Sequence, residues 1–67
     1  MTDVAKLKQR IADSGYKLYW LAGKCGLTYP GFKAKLDGEQ EFKQSEIKAL
    51  CAILQIDSAE MEELFFA

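Results

Sequence analysis

The sequence predicts one compact all-α domain built from five short helices. Three observations predict it: apolar residues recur with helical spacing, glycines or capping residues separate these repeats, and only one proline interrupts the 67 residues. Hydrophobic residues form 49% of the chain and no low-complexity stretch or internal repeat is present, so disorder is not expected. A chain of this length lies near the lower limit for one unaided core, so we expect a single domain over residues 1–67.

The first two helices are predicted in the N-terminal third of the chain. The first, about 3–14, carries apolar residues on one face: Val4, Leu7 and Ile11, with Ala5 and Ala12. Gly15 closes it, because glycine readily adopts the left-handed conformation that ends helices. The second, about 17–24, carries Leu18 and Leu21, and no Ser or Asp cap precedes it.

A helix-turn-helix is predicted over residues 17–36. The apolar stripe of the second helix continues to Cys25, and Gly26 then stands where the helix stops and the backbone turns. Thr28 is a suitable N-cap for the next helix, and Pro30 lies in the first turn, where its missing N–H had no partner. This third helix, about 29–36, carries two buried residues: Phe32 and Leu36.

The last two helices are predicted in the C-terminal half. The fourth, about 44–54, has apolar residues at positions i, i+3, i+4 and i+7: Ile47, Leu50, Cys51 and Leu54. Asp57 to Glu60 form a capping-box pattern for a fifth, short helix. Its inner face is expected to contain three residues: Met61, Leu64 and Phe65.

The residues of the helix-turn-helix also resemble a known family. The set is Leu21-Ala22, Gly26-Leu27, Gly31-Phe32, Ala34 and Leu36-Asp37-Gly38, and it is similar to the helix-turn-helix of the lambda-repressor and Cro family of phage regulators. Ser14-Gly15-Tyr16-Lys17, Glu41-Phe42 and Ser45-Glu46-Ile47 extend the likeness over nearly the whole chain. The resemblance implies a lambda-repressor-like fold with residues 29–36 as recognition helix. It further implies sequence-specific binding of a double-stranded DNA operator by a homodimer, as a phage or prophage transcriptional regulator, most simply a repressor.

Charge is distributed unevenly along the chain. The net charge of −1 is unfavourable for a protein that binds a polyanion. However, residues 1–36 hold seven Lys and Arg against two Asp, a balance of +5, and residues 37–67 hold two Lys against eight acids, a balance of −6. Such a domain can place its basic side against phosphates while its acidic side faces solvent. The predicted helix-turn-helix lies in the basic part.

Base contacts are implied for outward residues of the third helix: Tyr29, Pro30, Gly31, Lys33 and Ala34. Tyr29 can donate from its hydroxyl or cover a thymine methyl, Lys33 can reach guanine O6 and N7, and Ala34 can touch a thymine methyl. Pro30 and Gly31 permit close approach without hydrogen bonds. Because family members often carry Gln, Ser or Asn here, we expect modest specificity, partly through DNA shape.

Phosphate contacts are predicted for four residues: Lys17, Thr28, Lys35 and Lys43. The alternatives are that Thr28 is only a cap and that the lysines are ordinary solvated charges. Two positions depart from the family, since Leu18 stands where relatives place a phosphate-gripping Gln and Asp37 where they often carry Asn. Lys17 and the backbone N–H groups that begin the second helix can replace the first contact.

The remaining aromatic and cysteine residues receive structural roles. Phe65 and Phe66 are predicted at a dimer interface, with one ring completing the core and the other meeting a partner. Trp20 is expected to be half-buried against the first or last helix, and neither it nor Tyr19 is assigned to nucleic acid. Two free thiols are expected as small buried hydrophobes, with a disulfide as the alternative: Cys25 and Cys51.

Other function classes find little support in the sequence. The chain has no histidine, no metal-ligand spacing and no Gly-rich phosphate loop, so no metal, cofactor or enzymatic activity is predicted. No apolar run could span a bilayer and no signal-peptide pattern begins the chain, so we expect a cytoplasmic protein with no membrane or small-molecule partner.

A protein-interaction module is the alternative to a DNA-binding regulator. An antirepressor-like partner would keep the fold, bind a protein through the acidic half and the terminal aromatics, and bind DNA weakly or not at all. Four residues favour this alternative: Leu18, Pro30, Gly31 and Asp37. Under the regulator hypothesis, a predicted exposed acidic patch could instead contact polymerase: Glu39, Glu41 and Glu46.

Overall fold

The computed structural model describes residues 1–67 and contains five helices and no strand: α1 (Val4–Ser14), α2 (Leu18–Lys24), α3 (Tyr29–Leu36), α4 (Gln44–Leu54) and α5 (Ser58–Phe65). The predicted all-α class and the order of the helices are confirmed. The predicted bounds of the first four helices agree with the structure to within one residue. None of the five combines the length and apolar character needed to cross a membrane.

Short-range capping contacts set most of these bounds. The Asp3 carboxylate accepts a hydrogen bond from the Lys6 N–H at 3.1 Å, and the Asp57 carboxylate accepts one from the Glu60 N–H at 2.8 Å. These contacts satisfy backbone donors that have no partner inside their helix. Gly15 ends α1 with a φ of 79°, in the left-handed region that favours glycine.

The core draws apolar side chains from every helix and from the loops before α4 and α5. Its thirteen members are Leu7, Ile11, Leu21, Ala22, Phe32, Leu36, Phe42, Ile47, Leu50, Leu54, Ile56, Leu64 and Phe65. The Phe42 ring meets the rings of Phe32 and Phe65 edge-on, with centroids 6.2 and 5.7 Å apart. This geometry is a favourable one for aromatic pairs. Phe42 thereby joins α3 to the end of α5.

Phe65 belongs to this core, and the prediction that it lies at a dimer interface is wrong. Its exposed fraction is 2%, because its ring is enclosed against Phe42, whereas Phe66 remains 59% exposed. The expectation that one of the two rings completes the core is confirmed. Cys25 and Cys51 are free thiols packed partly buried against the core, so the alternative disulfide does not form.

One ion pair lies among these apolar side chains. Lys35 of α3 and Glu46 of α4 are each 5% exposed, and Lys35 Nζ donates a hydrogen bond to Glu46 Oε1 at 2.5 Å. The same oxygen accepts the backbone N–H of Lys43 at 2.8 Å, which caps the first turn of α4. The pair therefore connects the last turn of α3 to the first turn of α4.

The buried pair overturns two predictions. Lys35 is not available to a phosphate, because its ammonium is enclosed and bonded to Glu46. Glu46 is not part of an exposed acidic patch, because its carboxylate points inward to Lys35. Glu39 and Glu41 of that predicted patch are exposed.

Replacing Lys35 by Met tests how much the fold depends on the pair. The Lys35→Met substitution leaves the buried Glu46 carboxylate without its ionic partner. We expect the free energy of unfolding to fall by about 3–5 kcal/mol, which can be the whole stability of so small a domain. Urea unfolding followed by far-ultraviolet circular dichroism measures the change.

The matched control is the double variant Lys35→Met with Glu46→Leu. It removes both charges and leaves apolar side chains at both positions, so we expect a cooperative unfolding transition near that of the wild type. A single variant as stable as the wild type would contradict the importance given to the pair.

Candidate nucleic-acid interface

Helices α2 and α3, which span the predicted helix-turn-helix, are joined by a short turn at Gly26. The φ of Gly26 is 73°, a conformation that side-chain-bearing residues rarely adopt. The N–H of Leu27 donates to the carbonyl of Ala22 at 2.9 Å, which closes the end of α2. These contacts turn the chain directly from α2 into α3.

The start of α3 is fixed by Thr28 and by a glycine one turn later. Thr28 Oγ1 accepts a hydrogen bond from the Gly31 N–H at 3.2 Å, so its predicted role as N-cap is confirmed. Thr28 is exposed, and its hydroxyl proton can still be donated to a phosphate. A Cβ atom at Gly31 would lie 3.0 Å from Thr28 Oγ1, so this position accepts a side chain only if the cap shifts.

The exposed side of α3 contains the five residues predicted to contact bases. Tyr29, Pro30 and Lys33 are exposed, and Gly31 and Ala34 are partly exposed. The opposite side of the helix is buried through Phe32 and Leu36. The five candidates therefore lie on the accessible side of α3, and the exposed Thr28 precedes them in the chain.

The exposed lysines of the α2–α3 segment form no ion pair within the chain. Lys17, Lys24 and Lys33 are exposed and have no acidic partner within ion-pair distance. No Asp or Glu occurs between Asp13 and Asp37, so α2 and α3 contribute only positive side-chain charge. Lys43, at the N-cap of α4, is also exposed and free of an ion pair.

Asp37 departs from the resembled family, but its charge is partly compensated. Its carboxylate lies 3.1 Å from the ammonium of Lys8 in α1, and both side chains are about half exposed. An ion pair this exposed contributes little stability. The ammonium of Lys8 nevertheless offsets part of the negative charge of Asp37 at the end of α3.

Leu18 stands where the resembled family carries a phosphate-binding Gln. Its side chain is partly buried and helps to form an apolar groove of about 350 Å³ between α1, the start of α2 and α3. Ile11 and Leu36 also line the groove, and Lys33 borders it. Because position 18 is apolar, Lys17 is the only charged side chain at the start of α2.

One exposed aromatic residue of α2 lies beside this face of α3, although the sequence pattern did not assign it there. Tyr19 is 77% exposed, and its ring centroid lies 6.3 Å from that of Tyr29 on α3. The helical spacing contained the signal, because Tyr19 precedes the buried Leu21 by two residues and so projects from the opposite side of α2.

Trp20 packs on Tyr16, which lies in the loop between α1 and α2. Trp20 is 44% exposed, and the two stacked rings have centroids 4.9 Å apart. The ammonium of Lys24 lies 5.2 Å from the centre of the Trp20 ring, a cation–π contact on the surface of α2. Trp20 points outward because the neighbouring Leu21 and Ala22 take the buried side of this short helix.

Two groups at the buried ion pair have shifted pKa values: the Glu46 carboxyl and the nearby Cys25 thiol. Burial by itself raises the pKa of Glu46, but the hydrogen bonds from Lys35 and from the Lys43 N–H, with the charges of both lysines, outweigh burial and lower it. Burial raises the pKa of the Cys25 thiol, with a further increase from the Glu46 charge and a smaller opposing effect of Lys35. The thiol is therefore poorly suited to react as a nucleophile.

The structure contains no group of three or more His, Cys, Asp and Glu side chains that could hold a metal ion. Comparisons with protein-family models, with curated proteins and with solved structures found no match. The function must therefore be inferred from the residues and geometry of this chain.

The Glu46→Gln variant gives a pH test of the buried carboxylate. The pKa of Glu46 in the folded chain is lower than its ordinary value of 4.5, so the ionised form stabilises the fold above pH 4.5. This contribution is lost as the pH falls through the lowered pKa. We therefore expect the wild type to exceed Glu46→Gln in free energy of unfolding near neutral pH, with a difference that shrinks in acid.

Urea unfolding over a pH series measures this difference. Glu39→Gln, at an exposed carboxylate without an ion pair, is the matched control for the loss of one negative charge. A wild-type advantage over Glu46→Gln that grows as the pH is lowered would contradict the assignment.

Proposed function

We propose that this chain is a lambda-repressor-like DNA-binding domain that inserts α3 into the major groove of duplex DNA. One observation carries the proposal: α2 and α3 contain no acidic residue, and Lys17, Lys24 and Lys33 are exposed and without ion pairs. The biological role proposed with it is that of a phage or prophage transcriptional regulator, most simply a repressor. The resemblance described above supports this role.

The geometry of α2 and α3 suits this mode of binding. The start of α3 is exposed and capped by Thr28, and a short exposed helix fits the width of the major groove. Pro30 and Gly31 leave little side-chain bulk at the first turn, so the backbone can approach the base edges closely.

Phosphate contacts in this proposal fall to Lys17, Lys43 and the hydroxyl of Thr28, with Lys33 able to reach a base or a phosphate. The overall charge of −1 does not oppose binding, because the docking surface is what faces the DNA. Helix α3 packs against α1 and α2, whereas the acidic α5 packs against α1. On α5, the Glu60 carboxylate pairs with Arg10 of α1, and Glu60 and Glu63 line a depression beside α1 that no residue of α2 or α3 lines.

A homodimer belongs to the same proposal. Phe66 is 59% exposed directly after the buried Phe65. An exposed aromatic ring costs solvation free energy that a symmetric contact between two copies would recover. Two copies could then place their α3 helices in successive turns of the major groove, roughly 34 Å apart.

A protein-interaction module is the second candidate, and the exposed Trp20 favours it. Trp20 and Tyr16 form a stacked aromatic surface beside Lys24, and large aromatic residues are common anchors of protein interfaces. Binding to duplex DNA that weakens when Lys17 or Lys33 loses its charge favours the DNA-binding domain, and the absence of binding favours the interaction module.

Removing single charges beside α3 tests the DNA-binding proposal. Lys17→Gln and Lys33→Gln should each weaken binding to duplex DNA, and each should reduce the slope of log affinity against log salt by about 1. Fluorescence anisotropy with a labelled duplex over a salt series measures both quantities.

Lys48→Gln is the matched control, because Lys48 is an exposed lysine of α4 without an ion pair. It changes the net charge equally and should leave the affinity and the slope unchanged. A folded wild-type protein that fails to bind duplex DNA at low salt would overturn the proposal and favour the interaction module.

Replacing Phe66 by Ser tests the dimer. Sedimentation equilibrium should show a dimer for the wild type and a monomer for Phe66→Ser at the same concentration, because the variant loses the exposed apolar ring. Tyr19→Ser removes an even more exposed ring from α2 and should leave the dimer intact. A monomeric wild type over the full concentration range would contradict the dimer.

A further inference from the structure

We infer that the surface formed by α2 and α3 selects DNA chiefly through the 5-methyl groups of thymine. The contact is assigned to the paired rings of Tyr19 and Tyr29, and Lys33 beside them donates to guanine. This inference rests on the proposed duplex binding and specifies which base chemistry the surface recognises.

The first support is the set of side chains that the helix-turn-helix lacks. Residues 14–36 include no Asn, Gln, Arg, Asp or Glu. Adenine is ordinarily read by a bidentate Asn or Gln, and the cytosine amino group by Asp or Glu. The surface therefore has no side chain for either of these contacts. The side chains that remain are lysine, which can donate to guanine, hydroxyl groups, and apolar groups that can contact the thymine methyl.

The second support is the apolar character of the accessible start of α3. Tyr29 is 41% exposed, its neighbour Pro30 is exposed and Ala34 is partly exposed. Thr28 Oγ1 already accepts the Gly31 N–H, which occupies part of the hydrogen-bonding capacity of this hydroxyl. The exposed face of α3 therefore includes the apolar parts of Tyr29, Pro30 and Ala34.

The third support is the position of Tyr19. Its ring extends the apolar surface of Tyr29 from α3 onto α2, because the two centroids lie 6.3 Å apart with a tilt of 37° between the planes. A surface built from both rings is wide enough to contact a methyl group that projects from the edge of a base pair. Cytosine lacks this methyl group, so the same surface discriminates against it without forming a hydrogen bond.

Lys33 complements the two rings. It lies four residues after Tyr29, so the two side chains project from the same side of α3. It has no acidic partner within ion-pair distance, and its ammonium can therefore donate to guanine O6 and N7. The preferred sites combine thymines at the two tyrosines with a guanine close to Lys33.

Replacing thymidine by deoxyuridine tests the inference directly, since it removes only the methyl group and keeps every hydrogen-bonding group of the base. Duplexes enriched by the wild-type protein from a random library are resynthesised with single deoxyuridine substitutions, and their affinities are compared by anisotropy. We expect thymine enrichment in the selected sites and about a fourfold loss of affinity for each contacted methyl group removed.

Variants of the two tyrosines assign the effect to residues. In Tyr19→Ala or Tyr29→Ala, the deoxyuridine effect at the thymine that the missing ring contacts should disappear, because the partner of the methyl group is gone. Trp20→Ala is the matched control, as it removes an exposed aromatic residue of α2 outside this pair and should keep the full effect. Circular dichroism confirms that each variant is folded.

The possible outcomes separate this inference from the proposed function. Tight, site-selective binding that is unaffected by deoxyuridine at every position overturns the thymine-methyl inference and leaves the DNA-binding proposal standing. A deoxyuridine effect that persists unchanged in both tyrosine variants overturns the assignment to Tyr19 and Tyr29. A folded protein that binds no duplex overturns the proposed function, and the inference with it.

Discussion

The buried ion pair between Lys35 and Glu46 is the contact on which the placement of α3 depends. Apolar packing is non-directional, so Phe32 and Leu36 alone would leave α3 some freedom to rotate or slide on the core. A charged pair that is 5% exposed is satisfied only where both partners meet. We interpret the pair as the device that fixes the rotation of α3, and so decides which of its side chains face outward.

Most of the fold could be predicted from the sequence because its helix limits are local. Asp3, Gly15, Thr28 and Asp57 act within one turn of where they stand. The buried pair could not be found in this way. Lys35 occupies the i+3 position after Phe32 on the buried stripe, but a lysine is ordinarily a surface residue, and its partner lies eleven residues away on another helix.

The candidate site was predictable in part, by subtraction. Once Phe32 and Leu36 are buried, helical spacing places Pro30 and Ala34 on the outward side and Tyr29 and Lys33 at the edge of the buried stripe. The aromatic residues of α2 were harder, since large rings are expected inside. A chain of this size has too little interior for all eight of its aromatic residues, and the short α2 buries only Leu21 and Ala22. Which rings stay outside depends on tertiary contacts that the sequence pattern does not contain.

The contact between Thr28 and Gly31 limits how this domain could diverge. Any side chain at residue 31 would press on the hydroxyl that caps α3. A side chain at residue 31 therefore requires a small shift of the Thr28 hydroxyl, so a change of binding preference at this position is coupled to the cap that starts the helix. Fewer residues of α3 can therefore be substituted independently of the cap than face outward.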